Sequence, residues 1–89
     1  MSMELQGCIK KVFPIREVKS ERTGKSIDVQ DFVFGFGKNQ SIVLQLCDEK
    51  ISRHNLSEGE NVVVDVIMQH REYNGCLLND IRLLDLRHQ

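Results

Sequence analysis

The chain has 89 residues, which is enough for one small domain (residues 1–89) and excludes two. Hydrophobic residues make up 40% and charged residues 28%, a globular composition that excludes a mainly disordered chain. The formal net charge is −1, but the distribution is uneven. Residues 10–25 hold six basic and two acidic residues, a surplus of +4 against −5 elsewhere. Such a segment is either a solvated loop or a means of steering a polyanion. Its cations are Lys10, Lys11, Arg16, Lys19, Arg22 and Lys25.

Cysteine usage and hydropathy indicate the compartment. The three cysteines are an odd number without a Cys-x-x-Cys pair, and the chain begins without a signal-like apolar stretch. No apolar run approaches the ~18 residues of a membrane span. We therefore predict a reduced, cytoplasmic protein with no membrane contact.

Neither metal chemistry nor catalysis is indicated by the spacing of the reactive residues. The three histidines and three cysteines lack the spacing of zinc ligands. The sequence contains no recognisable Ser/His/Asp or Cys/His catalytic arrangement. The sequence predicts no metal, no cofactor and no enzymatic activity.

The first predicted strand runs from Glu4 to Phe13 and ends at Pro14, the only proline. Gly7 within this strand predicts a bulge or a sharp bend, by which one long strand can serve two sheets. The charged segment 16–26 is predicted to form a loop or the ragged end of a hairpin.

The second predicted strand, residues 27–37, carries three alternating phenylalanines that project to one face. Such a stripe could stack on nucleic-acid bases or fill a core. The core is favoured because a small barrel needs large residues inside. A tight turn at residues 38–40 leads to the third strand, residues 41–47. The three rings are Phe32, Phe34 and Phe36.

A short helix is predicted after the third strand, over residues 48–55. Asp48 is a plausible N-cap, and Ile51 and Leu56 are the expected apolar contacts. The fourth and fifth strands follow, at residues 61–73 and 76–87.

Asn74-Gly75 joins the last two strands and predicts a type I′ hairpin turn, which places Tyr73 opposite Cys76. Alternation then assigns one face to the core and leaves the other mixed. The core face carries Val62, Val64, Val66, Met68, Leu77, Ile81 and Leu83. The mixed face is too apolar for plain solvent exposure, which predicts self-association into a homo-oligomer or cover by the helix or a terminus. Its apolar members are Val63, Ile67, Leu84 and Leu86.

Three strands, a short helix and two strands are the order of a five-stranded OB-fold, an all-β Greek-key barrel with its helix between strands 3 and 4. An SH3-like barrel is the main competitor, and it would not need a helix at that place. We predict the OB-fold.

Several stretches of the chain resemble a known family. The pieces MELQGCI, VQDFVF, GENVVVDV, REYNG and NDIR are similar to a family of short bacterial proteins classed as a domain of unknown function. That family is similar in fold to bacterial single-stranded-DNA-binding proteins. The resemblance covers residues 3–86 and implies binding of single-stranded nucleic acid, by analogy of fold. It also favours a homo-oligomer.

This chain departs from the family at positions where aromatic residues are common. Base stacking on such rings supplies ~1–3 kcal/mol per base, so the resemblance here implies weak binding that depends mainly on charge. The substituted positions are Cys47, Cys76, Leu77, Leu78 and Leu84.

The predicted binding residues are the six cations of residues 10–25 together with Arg71, Tyr73 and Arg82. Arg71 lies diagonal to Asp80 in the predicted register, so a cross-strand ion pair is expected there as well. Tyr73 either stacks on a base or caps the end of the barrel. Binding would be independent of sequence, and DNA and RNA are both open. The alternative is an assembly module that works through its apolar face and binds no nucleic acid.

Overall fold

The computed structural model describes residues 2–89, which form one antiparallel sheet of six strands and one short helix. The predicted β-rich fold, with a short helix before the last two strands, is confirmed. The sheet has six strands where the sequence predicted five, and it is not closed into a barrel by hydrogen bonds. The elements are β1 Ser2–Val12, β2 Arg16–Lys19, β3 Ser26–Phe36, β4 Gln40–Cys47, α1 Glu49–His54, β5 Asn61–Tyr73 and β6 Cys76–His88.

The additional strand, β2, continues the path of β1 along the same edge of β3. Val12 of β1 pairs with Phe32, and the ladder resumes where Arg16 of β2 pairs with Val29. Pro14 lies in the interruption, because proline has no N–H to donate to a ladder. The segment predicted to be a loop or a ragged hairpin end is therefore a short hairpin with a turn at residues 20–25.

Strand β1 has two neighbours within a single sheet, whereas the sequence predicted that this strand could serve two sheets. Its first half pairs with β5, its second half pairs with β3, and Gly7 belongs to both ladders. The register shift lies at Lys10, three residues beyond the predicted position. Glycine is required at position 7 for a reason other than a bulge, since a Cβ built there would lie 2.0 Å from the carbonyl oxygen of Gly35. Glycine is needed here for close approach of two backbones.

The core lies between the two halves of the bent sheet. Phe32 and Phe34 are fully buried, and the ring of Phe36 stacks on that of Phe34 with centroids 5.8 Å apart. The interpretation of the phenylalanine stripe as core is thus confirmed. Ile51 of α1 is buried against this core and Leu56 packs at its margin, as predicted. The remaining fully buried residues are Ile9, Leu44, Leu46, Val62, Val64 and Val66.

The start of α1 differs from the prediction in one respect. Asp48 occupies the N-cap position but makes no side-chain cap hydrogen bond. Its carboxylate instead accepts a hydrogen bond from the backbone N–H of Asp28, at 3.1 Å. The Asp48 N–H donates to the carbonyl of Asp28, at 2.9 Å. Asp48 therefore ties the start of the helix to β3.

The β5–β6 hairpin has the predicted turn and, for most of its length, the predicted register. Asn74 and Gly75 both have positive φ, as a type I′ turn requires, and Tyr73 pairs with Cys76. The register holds as far as the pair Val66–Leu83 and then shifts by one residue.

Leu84 is the unpaired residue at this shift. The residues of β6 that follow Leu84 therefore project to the side of the sheet opposite to the one predicted. Val64 pairs with Leu86 instead of Asp85, and Leu86 is buried in the core with 4% of its surface exposed. The prediction that Leu86 shares an outer face with Leu84 is wrong because a one-residue bulge reverses the alternation of side chains.

The outer part of the hairpin extends beyond the core. The last pair described in the ladder between β1 and β5 is Ser2–Ile67, so within residues 2–89 no residue of β1 pairs with the hairpin beyond Ile67. Met68 and Leu77, predicted as core, are 62% and 74% exposed. We call residues 68–79, all of which are exposed, the hairpin arm.

Strands β4 and β6 are the two ends of the sheet's path, and they lie beside each other without a hydrogen-bonded ladder. Through the chain of antiparallel pairings between them, these two strands run in the same direction. Within residues 2–89, no helix has the length and apolar character to cross a membrane.

Candidate nucleic-acid interface

A groove of about 450 Å³ lies over the open seam between β4 and β6. On β4, residues 42, 44 and 46 face inward, so the intervening residues face this groove. The opposite wall comes from β6 and from one residue of the hairpin arm. The lining residues are Val43, Gln45, Cys47, Arg71, Asp80, Ile81, Arg82 and Leu83.

Arg71 and Arg82, both predicted binding residues, line this groove from different strands. Within residues 2–89, neither guanidinium has a carboxylate within 4.0 Å. Each therefore keeps the planar set of N–H donors that suits two phosphate oxygens at once.

The predicted ion pair between Arg71 and Asp80 is not formed. Arg71 is opposite Leu78 and Asp80 is opposite Gln69, so the two charged residues are diagonal neighbours, as predicted. Diagonal positions lie about 7–8 Å apart, and the side chains do not bridge that distance. Asp80 lowers the positive potential of the groove without neutralising either arginine directly.

The six cations of residues 10–25 are spread over the molecule, and none of them lines this groove. Arg16 pairs with Asp31, with Nε and Oδ2 3.2 Å apart. The ammonium of Lys11 lies 5.0 Å from the centre of the Phe13 ring, a cation–π contact. Lys10 lies on the outer face of β3, beside Gly35. The other three, Lys19, Arg22 and Lys25, are exposed in the β2–β3 hairpin.

Tyr73 is at the tip of the hairpin arm, beside the turn, with 64% of its surface exposed. It does not line the groove with Arg71 and Arg82. Because its ring is open to solvent, it is available for stacking and does not cap the core.

The predicted self-association face is smaller than the sequence suggested. Val63 is 9% exposed and Leu86 is in the core, so neither offers apolar surface to a partner. Ile67 is partly buried, and Leu84 is 49% exposed as the bulged residue of β6. The larger exposed apolar surface is on the hairpin arm.

The contribution of β4 to the groove differs from what the sequence predicted. Val43, Gln45 and Cys47 were not predicted as site residues. The signal for their outward direction was present, since alternate residues of the third predicted strand are apolar. Their position opposite β6 had no local signal, because that seam joins distant parts of the chain.

A second polar cluster lies away from the groove, where α1, β5 and β6 meet. A ring nitrogen of His88 contacts the carboxylate of Glu60, and its other nitrogen lies 3.3 Å from Nδ1 of His54. Burial, followed by the nearby charge of His88, lowers the pKa of His54 below 6.5. The hydrogen bond from His88 lowers the pKa of Glu60. Within the described residues 2–89, no three His, Cys, Asp or Glu residues form a group that could hold a metal ion.

Mild acid is expected to destabilise the fold through His54. Its pKa in the folded state lies below its ordinary value of 6.5, so the unfolded chain binds the proton more readily. The free energy of unfolding should therefore fall as the pH drops through that value. Urea denaturation on either side of pH 6.5 measures this.

His54→Gln should flatten the pH dependence, whereas His70→Gln, on the exposed hairpin arm, should leave it unchanged. Equal pH dependence in wild type and His54→Gln would contradict the assignment. The contribution of Glu60 has the same sign but is lost at lower pH, as its carboxylate takes up a proton.

Comparison with protein-family models and with curated proteins finds no match to this chain.

Proposed function

We propose that the protein binds single-stranded nucleic acid weakly and without sequence preference, through the groove between β4 and β6. The observation that carries the proposal is the presence of Arg71 and Arg82 in one groove, without ion-pair partners among residues 2–89. Two guanidinium groups in one groove suit the phosphates of an extended strand.

The topology supports an OB-like scaffold for this activity. If β2 is counted as a continuation of β1, the order is that of an OB-fold, with the helix between its third and fourth strands. Strand β1 pairs with both β3 and β5, and β4 runs parallel to β6, as barrel closure would require. The chain then corresponds to an OB barrel left open at one seam.

The chemistry of the groove favours charge over base recognition. Phosphate contacts carry no sequence information, and Val43 and Ile81 provide apolar surface that any sugar or base can contact. Tyr73 is the most exposed aromatic residue of the described chain. Affinity should therefore depend on salt, with stacking confined to the single ring of Tyr73.

Binding of labelled oligo-dT should weaken with salt along a log–log slope of about −0.7 per phosphate neutralised, or roughly −1.4 for the two arginines that line the groove. Arg71→Ala should make the slope shallower by about 0.7. Tyr73→Ala should weaken binding by ~1–3 kcal/mol with little change of slope, since stacking releases no counterions. Fluorescence anisotropy at several salt concentrations measures each quantity.

Arg53→Ala is the matched control for Arg71→Ala. Arg53 is an exposed arginine on α1, outside the groove, so its removal changes the net charge equally. If both variants change the slope to the same extent, a general charge effect explains the binding and the groove has no special role.

An assembly module remains the second candidate, because the hairpin arm exposes Met68 and Leu77 on one face and Leu78 on the other. Exposed apolar surface of this kind often marks interaction sites. If oligo-dT does not bind at ~50 mM salt and ~100 µM protein, this function replaces the first. Light scattering should then give at least twice the chain mass of 10.3 kDa.

A further inference from the structure

A second groove, of about 770 Å³, lies beside the turn that joins β3 and β4. Two lysines line it, Lys10 from the bulge of β1 and Lys38 from the turn itself. Its other polar lining groups are neutral side chains and backbone, and no carboxylate from residues 2–89 lines it. We propose that this groove is a phosphate-binding subsite.

Lys10 is held in the groove by two features of the backbone. It is the extra residue in the register shift of β1, and such bulges re-aim a side chain. Its aliphatic stem also lies across Gly35 of β3, because a Cβ built on Gly35 would be 2.4 Å from the Cε of Lys10. Without a side chain, Gly35 leaves the room in which the stem lies. Lys10 is exposed, as are the lysines of the β2–β3 hairpin, but its stem has a defined position across Gly35.

The rest of the groove supplies donors suited to an anion. Lys38 lies between Gly37 and Asn39, which both have positive φ and turn the chain sharply at the groove. Ser41 and Asn61 contribute a hydroxyl and an amide to the lining. Two cations and neutral donors without a competing carboxylate favour a ligand that carries negative oxygens.

This subsite adjoins the groove of Arg71 and Arg82. Val33 lines the groove of Lys10, Val43 lines the groove of Arg71 and Arg82, and these two residues pair across β3 and β4. A phosphate at Lys10 therefore lies on the same outer face of the sheet as the arginines. A strand bound in the arginine groove can extend into this subsite, an extension that rests on the proposed function.

The phosphate can belong to a nucleic-acid backbone or to a free phosphoanion, and inorganic tripolyphosphate is the probe that separates the two. Titration at ~50 mM salt, followed by ¹H–¹⁵N NMR, should shift the amides of residues 37–41 and of Lys10. Lys10→Ala should weaken this binding about tenfold, as expected for loss of a charged hydrogen-bond donor.

Gly35→Ala tests the position of the Lys10 side chain without changing the net charge. Lys50→Ala changes the net charge without altering the groove. Gly35→Ala should reproduce most of the effect of Lys10→Ala, because the new Cβ displaces the lysine stem. Lys50 is exposed on α1, and its removal should leave binding within about twofold of wild type, as for a distant charge that is screened. Equal loss in Lys10→Ala and Lys50→Ala, or shifts centred elsewhere, would overturn the subsite.

Titration with oligo-dT distinguishes failure of this inference from failure of the proposed function. If oligo-dT binds and Lys10→Ala weakens it no more than Lys50→Ala does, the subsite is excluded and the arginine groove stands. If tripolyphosphate binds at residues 37–41 and oligo-dT does not, the subsite serves a free phosphoanion and the nucleic-acid function is excluded.

Discussion

Phe34→Ala is expected to lower the free energy of unfolding by about 3–5 kcal/mol, the usual cost of emptying a fully buried phenylalanine site. Phe34 has no exposed surface, and its ring contacts that of Phe36. A domain of this size has a total stability of roughly 5–13 kcal/mol, so this one substitution removes a large part of it.

Urea denaturation monitored by circular dichroism measures the loss, and Tyr73→Ala is the aromatic control. Tyr73 is exposed on the hairpin arm, so its removal should change stability by about 0.5 kcal/mol or less. A loss in Phe34→Ala no greater than that in Tyr73→Ala would show that the phenylalanine stripe does not form the core.

Gly7→Ala is expected to destabilise the fold by at least about 1–3 kcal/mol, the usual cost of overpacking. The added Cβ would lie 2.0 Å from the carbonyl oxygen of Gly35 and 2.9 Å from Cζ of Phe34. The first of these atoms is backbone, so β1 must move away from β3 at the point where it also pairs with β5.

Gly35→Ala is the control for this substitution, because its nearest new contacts are with the flexible side chain of Lys10. It should cost clearly less stability than Gly7→Ala in the same denaturation experiment. Equal losses would mean that general glycine effects, and not the approach of β1 to β3, determine the result.

The parts of the fold that could be predicted depend on local chemistry. Asn74-Gly75 determined both the turn and the starting register of the hairpin, since few residues accept positive φ at two successive positions. Alternation of phenylalanine identified the buried face of β3. Ile51 and Leu56 placed the short helix against the core.

The errors arose where a neighbouring strand decides the outcome. The bulge at Leu84 reverses the faces of β6, and no local pattern marks it. Strand β2 forms because its partner, β3, extends past the interruption at Pro14. Met68 and Leu77 are exposed on the part of the hairpin that follows Ile67, the last residue of β5 that has a described partner on β1.

Within the candidate site, Arg71 and Arg82 were predicted from the sequence. The residues that surround them were not, because their positions depend on the topology of the sheet. The groove requires β4 to lie beside β6, and these strands are connected only through the rest of the sheet. The basic segment was interpreted as a single cluster, but its residues divide between an ion pair, a cation–π contact, a hairpin and a separate groove. Closeness in sequence did not produce a continuous basic surface.

Oligo-dT affinity of the double variant Arg71→Ala/Arg82→Ala tests the central claim most directly. At ~50 mM salt, counterion release contributes a factor of about eight to the binding constant for each phosphate contact. The double variant should therefore bind ~60-fold more weakly than wild type. The control Lys50→Ala/Arg53→Ala removes the same charge from α1 and should lose less than about threefold. Equal losses in the two double variants, or no binding by the wild-type protein, would contradict a nucleic-acid site in the groove between β4 and β6.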